Sequence, residues 1–292
     1  MPEVAAVVVN YNAGDELRLA LQSIAAECAG IDWEAVDVDN ASTDGSASVV
    51  PTLSPRASLI SNATNVGFGR AVNQAVAASS APLLLLVNPD CQLRPGALMA
   101  LRAVIDAEPS CAIVGPKILD PDGRVQGSAR GDPDMLTGLF GRTGGLRTRL
   151  PLSSAARRNV IVDDAIASGA ESMVVDWVSG ACMLIRRAAL DAVGGFDERY
   201  FLYWEDADLC RRLRQHGHQI RYAPGAIAVH TVGRSSRTAR RSSIRAFHSS
   251  AYRYYATHVA PGALDPRRPI AWAILTLRCW LKLRTSNPEP RT

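Results

Sequence analysis

Apolar positions along this chain alternate between short unbroken runs and stripes of helical spacing. Ala5–Val9 is an apolar run of strand length, after which Leu17, Leu21 and Ile24 recur at intervals of four and three, one face of a helix. Val36–Asp39 and Ser58–Ser61 predict a second and a third strand, Pro82–Val87 a fourth and the most apolar, and Cys111–Val114 a fifth. Between them Phe68, Ala71, Val72, Ala75 and Val76 form one helix stripe, and Leu98, Leu101, Arg102 and Ile105 another. Strand–helix alternation of this kind argues an α/β fold with a mostly parallel sheet and helices on both faces. Ligands in such sheets bind beyond the carboxyl ends of the strands.

The second half is less regular. Residues 123–172, broken by Gly144-Gly145 and Pro151, predict loops and short helices. Ile227–Val229 predicts a strand ending at His230, followed by a Gly/Ser/Arg loop from Thr231 to Arg237. A helix is expected over Ser243–Tyr255, with Ile244, Phe247, Ala251 and Tyr255 on one face.

Polar clusters sit where the sheet rule looks for them. Asn10-Tyr11-Asn12 follows the first strand, Asp39-Asn40-Ala41-Ser42-Thr43-Asp44-Gly45-Ser46 the second, and Asn88-Pro89-Asp90 the fourth. Any one of these also reads as a turn plus helix cap; three at one sheet edge read as a site. A second signal lies in residues 177–218. There a Gly-Gly-Phe-Asp turn precedes the aromatic run Tyr200 to Trp204, the acids Glu205, Asp206 and Asp208, and a basic helix from Leu209 to His216. Acids at a helix start can be dipole complements and nothing more, but a carboxylate beside large rings can also take a proton from a hydroxyl. Asp208 and Arg212 form an i,i+4 pair, and Asp206 points to a different face from Asp208. His216 and His218 flank Gly217 at a helix C-terminus, where the dipole accounts for them.

Together these motifs resemble the family 2 glycosyltransferases of GT-A fold, particularly their bacterial rhamnosyltransferase-like branch, over roughly the first four-fifths of the chain. The resemblance implies a GT-A domain over 1–235, with a nucleotide-sugar half at 1–120 and an acceptor-side half at 121–235, and a basic helical C-terminal extension at 236–292. It places Asn12, Asp39 and Asp44 at the nucleotide. Within the stretch Asn65 to Asn73, Gly67 would allow close packing, with Arg70 and Asn73 on the nucleotide side. Asp90 would ligate Mg²⁺ or Mn²⁺ bridging the donor diphosphate, with His230 a further ligand. Asn88 stands where the family's Asp-x-Asp motif has its first acid, and can support a ligand or sugar hydroxyl through its amide. Trp177, Ser179 and Gly180 match a loop that contacts donor or acceptor sugar, with Glu205 beside the substrate. The catalytic base falls on Asp206, the second acid of the Glu-Asp pair. The implied mechanism is inversion by direct displacement, from a nucleoside diphosphate sugar (dTDP-L-rhamnose first) to a glycan or polyprenyl-diphosphate-linked acceptor. Asp37 departs from the pattern by standing within a strand where the family carries an aliphatic residue; as a buried carboxylate it needs a partner or an edge position, and no function is assigned to it.

Composition fits a soluble enzyme: 292 residues, 47% hydrophobic, with six scattered cysteines and no Cys-x-x-Cys pair. With no membrane-spanning apolar run and no signal-like N-terminus, a reducing cytoplasm is the expectation. The net charge of +4 hides an asymmetry: residues 234–292 carry 12 Lys/Arg against 2 acids, while the other 233 residues carry 20 against 26. In a helix beginning at Pro266, Arg267, Arg268, Arg278 and Lys282 share one arc, while Ile270, Trp272, Ile274, Leu277, Trp280 and Leu281 fill much of the rest. Such a helix lies either in a membrane interface, giving peripheral contact at the inner face of the plasma membrane, or on the protein's own core with the basic arc solvated. Two rival functions remain open from sequence. A nucleotidyltransferase would carry a Gly-rich basic loop after the first strand, which Asn10 to Gly14 lacks. A nucleic-acid module could stack bases on Tyr252, Tyr254 and Tyr255 but leaves the acids without a role, so no nucleic-acid partner is expected.

Overall fold

A computed structural model of the chain describes residues 1–53, 57–132, 169–231 and 240–285. A nine-stranded sheet runs in the order β3-β2-β1-β4-β10-β6-β11-β5, with β8 pairing β11 off this path. Its first strands are β1 (Val4–Asn10), β2 (Trp33–Asp39), β3 (Ala57–Ser61) and β4 (Leu83–Val87), all parallel. They alternate with α1 (Asp15–Glu27), α2 (Val50–Leu53) and α3 (Phe68–Ala77); the periodicity marks α1 and α3, while the single turn of α2 carries no stripe of its own. Every residue of β1 and β4 is buried, because a central parallel strand is covered on both faces. One face packs Val7, Val9, Val36 and Val38 against Ala71, Val72 and Ala75 of α3. The other packs Val4, Ala6 and Val8 against Leu17, Leu21 and Ile24 of α1, and against Leu98, Leu101 and Ile105 of α4 (Ala97–Ala107).

The sheet is mixed beyond β4. β5 (Cys91–Leu93) is followed by β6 (Cys111–Leu119), β7 (Ala129–Arg130), β8 (Met173–Val175), β9 (Trp177–Val178), β10 (Cys182–Arg186) and β11 (Gln219–His230). β6 and β11 pair in parallel, whereas β10 is antiparallel to both β4 and β6. The acceptor-side half therefore contributes strands to the same sheet as the first half. A register shift between Ala223 and Ile227 interrupts the pairing of β11 with β6, which resumes over Ile227–Val229, while the other edge of the same segment pairs with β5 and sets His230 opposite Cys91. Of the irregular stretch expected over 123–172, residues 133–168 lie outside the described residues, as do 232–237 of the basic loop and the proposed boundary at 235/236.

α5 (Arg187–Ala192) and α6 (Glu205–Gln215) precede a C-terminal hairpin of α7 (Arg240–Tyr254), a turn of π-helix over Tyr255–Val259, and α8 (Arg267–Thr285). The hairpin is docked on the acceptor-side half. Tyr203 and Trp204 pack on Phe247 at 5.8 Å each, Trp204 on Tyr254 at 5.3 Å, and the Ser250 hydroxyl donates to the Leu202 carbonyl. The structure reverses the orientation in which α8 docks with its basic arc solvated. Ala271 and Leu275, which share that arc, are buried, while Ile270, Trp272, Ile274, Leu277, Trp280 and Leu281 are 36% to 56% exposed. No helix among the described residues is long and apolar enough to cross a membrane.

Asp37 lies in the middle of β2, 1% exposed, with neither carboxylate oxygen hydrogen-bonded. Burial, and then the negative charge of Asp39, push its pKa up to about 8. A carboxyl that keeps its proton in the fold but loses it near pH 4 when unfolded stabilises the fold fully below pH 4. That contribution is lost as pH rises to about 8, at about 1.4 kcal/mol per pH unit. Asp37→Val should raise the urea midpoint at pH 7, and the gain should shrink when the titration is repeated at pH 4.5. A gain that does not change with pH would show that Asp37 is ionised in the fold.

Candidate active site

The carboxyl ends of β1 and β2 are joined by Asn10, a member of the first polar cluster to which the sequence assigned no role of its own. Fully buried, its side-chain amide donates to Asp39 Oδ1 (2.8 Å), Ser46 Oγ (2.9 Å) and Ser42 Oγ (3.2 Å). Asp39 Oδ2 accepts the Ser42 amide at 3.0 Å. Asn12, at a left-handed φ of 52°, accepts the Thr43 amide through Oδ1 at 2.8 Å. Asp44 accepts the Gly14 amide (2.8 Å) and the Ser46 hydroxyl (2.6 Å). Burial raises the pKa of Asp44, but the Ser46 and Gly14 bonds outweigh it and hold the carboxyl below its usual value. Asn12, Asp39 and Asp44 thus form one network, with acceptor capacity left on each carboxylate for a nucleotide. The one available sign of Asn10 was a polar residue closing an otherwise apolar strand.

β10 brings the second group together. Because it runs antiparallel to β4, its first residue, Cys182, sits opposite Val87. The loop before it therefore reaches the carboxyl edge, where the Asn88 amide donates to the Ala181 carbonyl at 2.9 Å. On the same loop the Gly180 amide donates to Asp206 Oδ2 at 2.9 Å, and a Cβ at Gly180 would meet Asp206 Cβ at 3.4 Å. The adjacent residues Gly180 and Ala181 thus link the Asn88–Asp90 turn to the acidic helix start. Ser179 donates its amide to the Ser128 carbonyl (2.8 Å), and its hydroxyl accepts the Ala181 amide (3.3 Å). Trp177 is buried, with the Arg130 guanidinium over its ring.

Asp90 meets His230 across the β5–β11 pair, with Nε2 3.1 Å from Asp90 Oδ1. Gln126, for which the sequence held no sign, donates its amide to Asp120 Oδ1 (2.7 Å) and to the His230 carbonyl (2.9 Å). That orients Gln126 Oε1 toward His230 Nδ1 at 3.2 Å, so Nδ1 carries the ring proton. In the neutral ring, the Nε2 lone pair then faces a carboxylate oxygen. Two acceptors at that spacing match neighbouring ligands of an octahedral ion with bonds near 2.1 Å, so Asp90 and His230 fit a divalent cation. No group of three or more His, Cys, Asp or Glu residues that could hold a metal occurs among the described residues, so such an ion would draw its other ligands from phosphate and water.

The three acids of α6 divide by environment. Asp206 is half-buried and accepts only backbone amides, from Gly180 and Ala207 (2.8 Å). Glu205 is buried at the helix start. Asp208 is a structural residue, 1% exposed, accepting from Arg212 Nε (2.7 Å) and the Tyr200 hydroxyl (3.3 Å) and paired with His258 Nε2 (2.6 Å). Tyr203 and Trp204 just before them hold left-handed φ values of 66° and 72°, a costly conformation for ringed side chains. These two rings pack on Phe247 of α7. Arg70 and Asn73 of α3 are engaged with the Gly-Gly-Phe-Asp turn: Arg70 pairs with Glu198 at 2.7 Å, and Asn73 bonds both the amide and the carbonyl of Phe196. Gly67, at φ 91°, allows the Phe201 carbonyl to approach where a Cβ would lie 2.7 Å away.

A sequence model described as Glycosyl transferase family 2 matches residues 5–194, and one described as Glycosyl transferase family group 2 matches 148–287. The chain is 34% identical over 98% of its length to an N-acetylglucosaminyl-diphospho-decaprenol L-rhamnosyltransferase of Mycobacterium tuberculosis, spanning 94% of that protein. It is 40% identical over 28% of its length to the rhamnosyltransferase WbbL of Escherichia coli K12, 31% of that protein. A mannosyltransferase of Pyrobaculum calidifontis, solved with GDP-Man and Mn²⁺, superposes with a TM-score of 0.56 over 98% of this chain and 76% of that one. At 17% identity that is a likeness of fold.

The contrast between Asp208 and Asp206 can be measured. Asp208→Ala leaves the Arg212 guanidinium and the His258 ring without their shared acceptor and should cost about 3 kcal/mol in urea unfolding, whereas Asp206→Ala should cost no more than about 1 kcal/mol. Equal costs would show that Asp206 is held as a structural residue too.

Proposed function

The chain belongs to glycosyl transferase family 2, and on that premise we propose that it moves L-rhamnose, with inversion, from dTDP-rhamnose to a hydroxyl of a sugar carried on a polyprenyl diphosphate. The observation that carries this reading is the short loop joining Asp206 to the Asn88–Asp90 turn. It sets a carboxylate free of ion pairing with Arg212 beside the strand ends where a donor diphosphate would lie. The name of the mycobacterial relative supports the sugar and the lipid-linked acceptor.

In this mechanism Asn12, Asp39 and Asp44 hold the nucleotide, the carboxylates accepting N–H and hydroxyl donors of base and ribose. Asn88 and the loop of Trp177, Ser179 and Gly180 position the sugar, with Glu205 at its edge. Asp90 and His230 would hold Mg²⁺ or Mn²⁺, which when bound supplies positive charge against the departing diphosphate. Asp206 takes the proton of the acceptor hydroxyl as that oxygen attacks the anomeric carbon from the face opposite the leaving group. The Gly180 amide fixes the carboxylate's orientation without removing its basicity. Arg70 and Asn73 serve the site by holding the 196–198 turn against α3. The exposed apolar arc of α8 supports peripheral contact with the inner face of the membrane, where such an acceptor is presented.

Asp206→Asn should bind dTDP as the unaltered protein does while transfer falls by roughly three orders of magnitude or more. Turnover near the original rate would remove Asp206 from the mechanism. Stripping divalent ions should abolish transfer until Mg²⁺ or Mn²⁺ is restored, and Asp90→Ala should not recover. Full activity in excess chelator would overturn the metal role of Asp90 and His230.

A further inference from the structure

Hairpin residues 240–285 carry nine Lys/Arg and one acid, Asp265, which lies in the linker and is bonded to Arg267. At the hairpin's open end, cations meet across the helices. Arg241 of α7 donates to the Leu283 carbonyl of α8 at 3.3 Å, and Arg245 acts on the Cys279 thiol. His248, one turn further, lies within the fields of Arg278 and Lys282. Arg240, Arg241 and Arg245 also occupy the first two turns of α7, the positive end of its dipole, where acids are favoured and arginines are not.

A buried orphan sits in the same place. His248 is 5% exposed, its Nδ1 bonds the Ile244 carbonyl at 2.7 Å, and its Nε2 has no hydrogen-bond partner. Burial first, and then Arg278 and Lys282, depress its pKa. Cations gathered this closely repel one another, and an anion among them would relieve that repulsion and favour the protonated His248 ring, whose Nε2–H could then donate to it.

Its surroundings select the anion. Phe247, adjacent to His248, packs on Tyr203 and Trp204, which lead directly into Glu205 and Asp206. On the other side, exposed Leu277, Trp280 and Leu281 share the C-terminal half of α8 with Arg278 and Lys282. We propose that the α7–α8 seam bearing Arg241, Arg245, Arg278 and Lys282, with His248 beside them, binds the diphosphate of the polyprenyl-linked acceptor. Its sugar is then directed toward Asp206 and its prenyl chain lies along the apolar arc. The proposal rests on the transferase reading above and assigns the acceptor a binding site.

Farnesyl diphosphate, a soluble prenyl diphosphate, is the probe, titrated calorimetrically into the full chain, the R245Q/R278Q/K282Q variant and the milder R245Q/K282Q variant. The unaltered protein should bind it in the presence of saturating dTDP. The triple variant should bind it about tenfold or more weakly, the loss expected from removing charge-assisted bonds. Farnesol should bind more weakly than farnesyl diphosphate to the unaltered protein, and dTDP should bind all three proteins alike, which also attests their folding. Equal affinity of all three for farnesyl diphosphate, or its displacement by dTDP, would overturn the proposal. So would a triple variant that loses binding to phosphatidylglycerol vesicles yet keeps its farnesyl diphosphate affinity, since the basic seam would then serve phospholipid headgroups. Failure of every protein to bind dTDP would instead count against the donor reading, leaving the farnesyl diphosphate comparison to be judged by itself.

Discussion

Everything chemical in this protein depends on one reversed strand. β10 enters the sheet between β4 and β6 running against both, so its N-terminal end lies where its parallel neighbours have their C-terminal ends. A parallel strand in that place would deliver its preceding loop to the opposite edge of the sheet, far from the nucleotide network. The reversal puts Ala181 against Asn88, and the Gly180 amide holds Asp206 to the loop from the other side. Two hydrogen bonds from this loop, one to the Asn88 backbone and one to the Asp206 carboxylate, thereby tie a candidate base to the turn that carries the candidate diphosphate ligands.

The C-terminal hairpin is the second constraint. Two consecutive left-handed residues with large rings do not hold themselves in that conformation. Tyr203 and Trp204 are held by Phe247 and Tyr254, and the helix they introduce is anchored by the Asp208–His258 pair. The start of α6, which orients Asp206, is thus braced by residues more than forty positions away. The same hairpin turns a row of large apolar side chains to solvent and gathers cations at its open end. Both features are unfavourable for a helix pair in water and favourable for one at a lipid surface that carries phosphate.

Stability and site chemistry pull apart in β2. Asp39 is answered on both oxygens by Asn10 and Ser42, so its burial is compensated. Asp37, two residues earlier on the same face of the strand, receives nothing and holds its proton instead. One carboxylate organises the nucleotide edge, while its neighbour is a liability that the large apolar layer around β1 and β4 can absorb.

Period and polarity, read from the sequence alone, determined the strand–helix order of the first half, the sheet edge bearing the polar clusters, and Asp206 as distinct from Asp208. These are local properties: burial on one or both faces writes itself into spacing, and i,i+4 geometry separates Asp208 from Asp206 within one helix. Tertiary structure alone decided the direction of β10, the Asp90–His230–Gln126 arrangement, the engagement of Arg70 and Asn73 with the 196–198 turn, and which arc of α8 faces inward. A hydrophobic pattern records that a residue is covered but not by what. Strand direction, and the partner of a polar group a hundred residues distant, arise only when the whole chain competes for the same contacts.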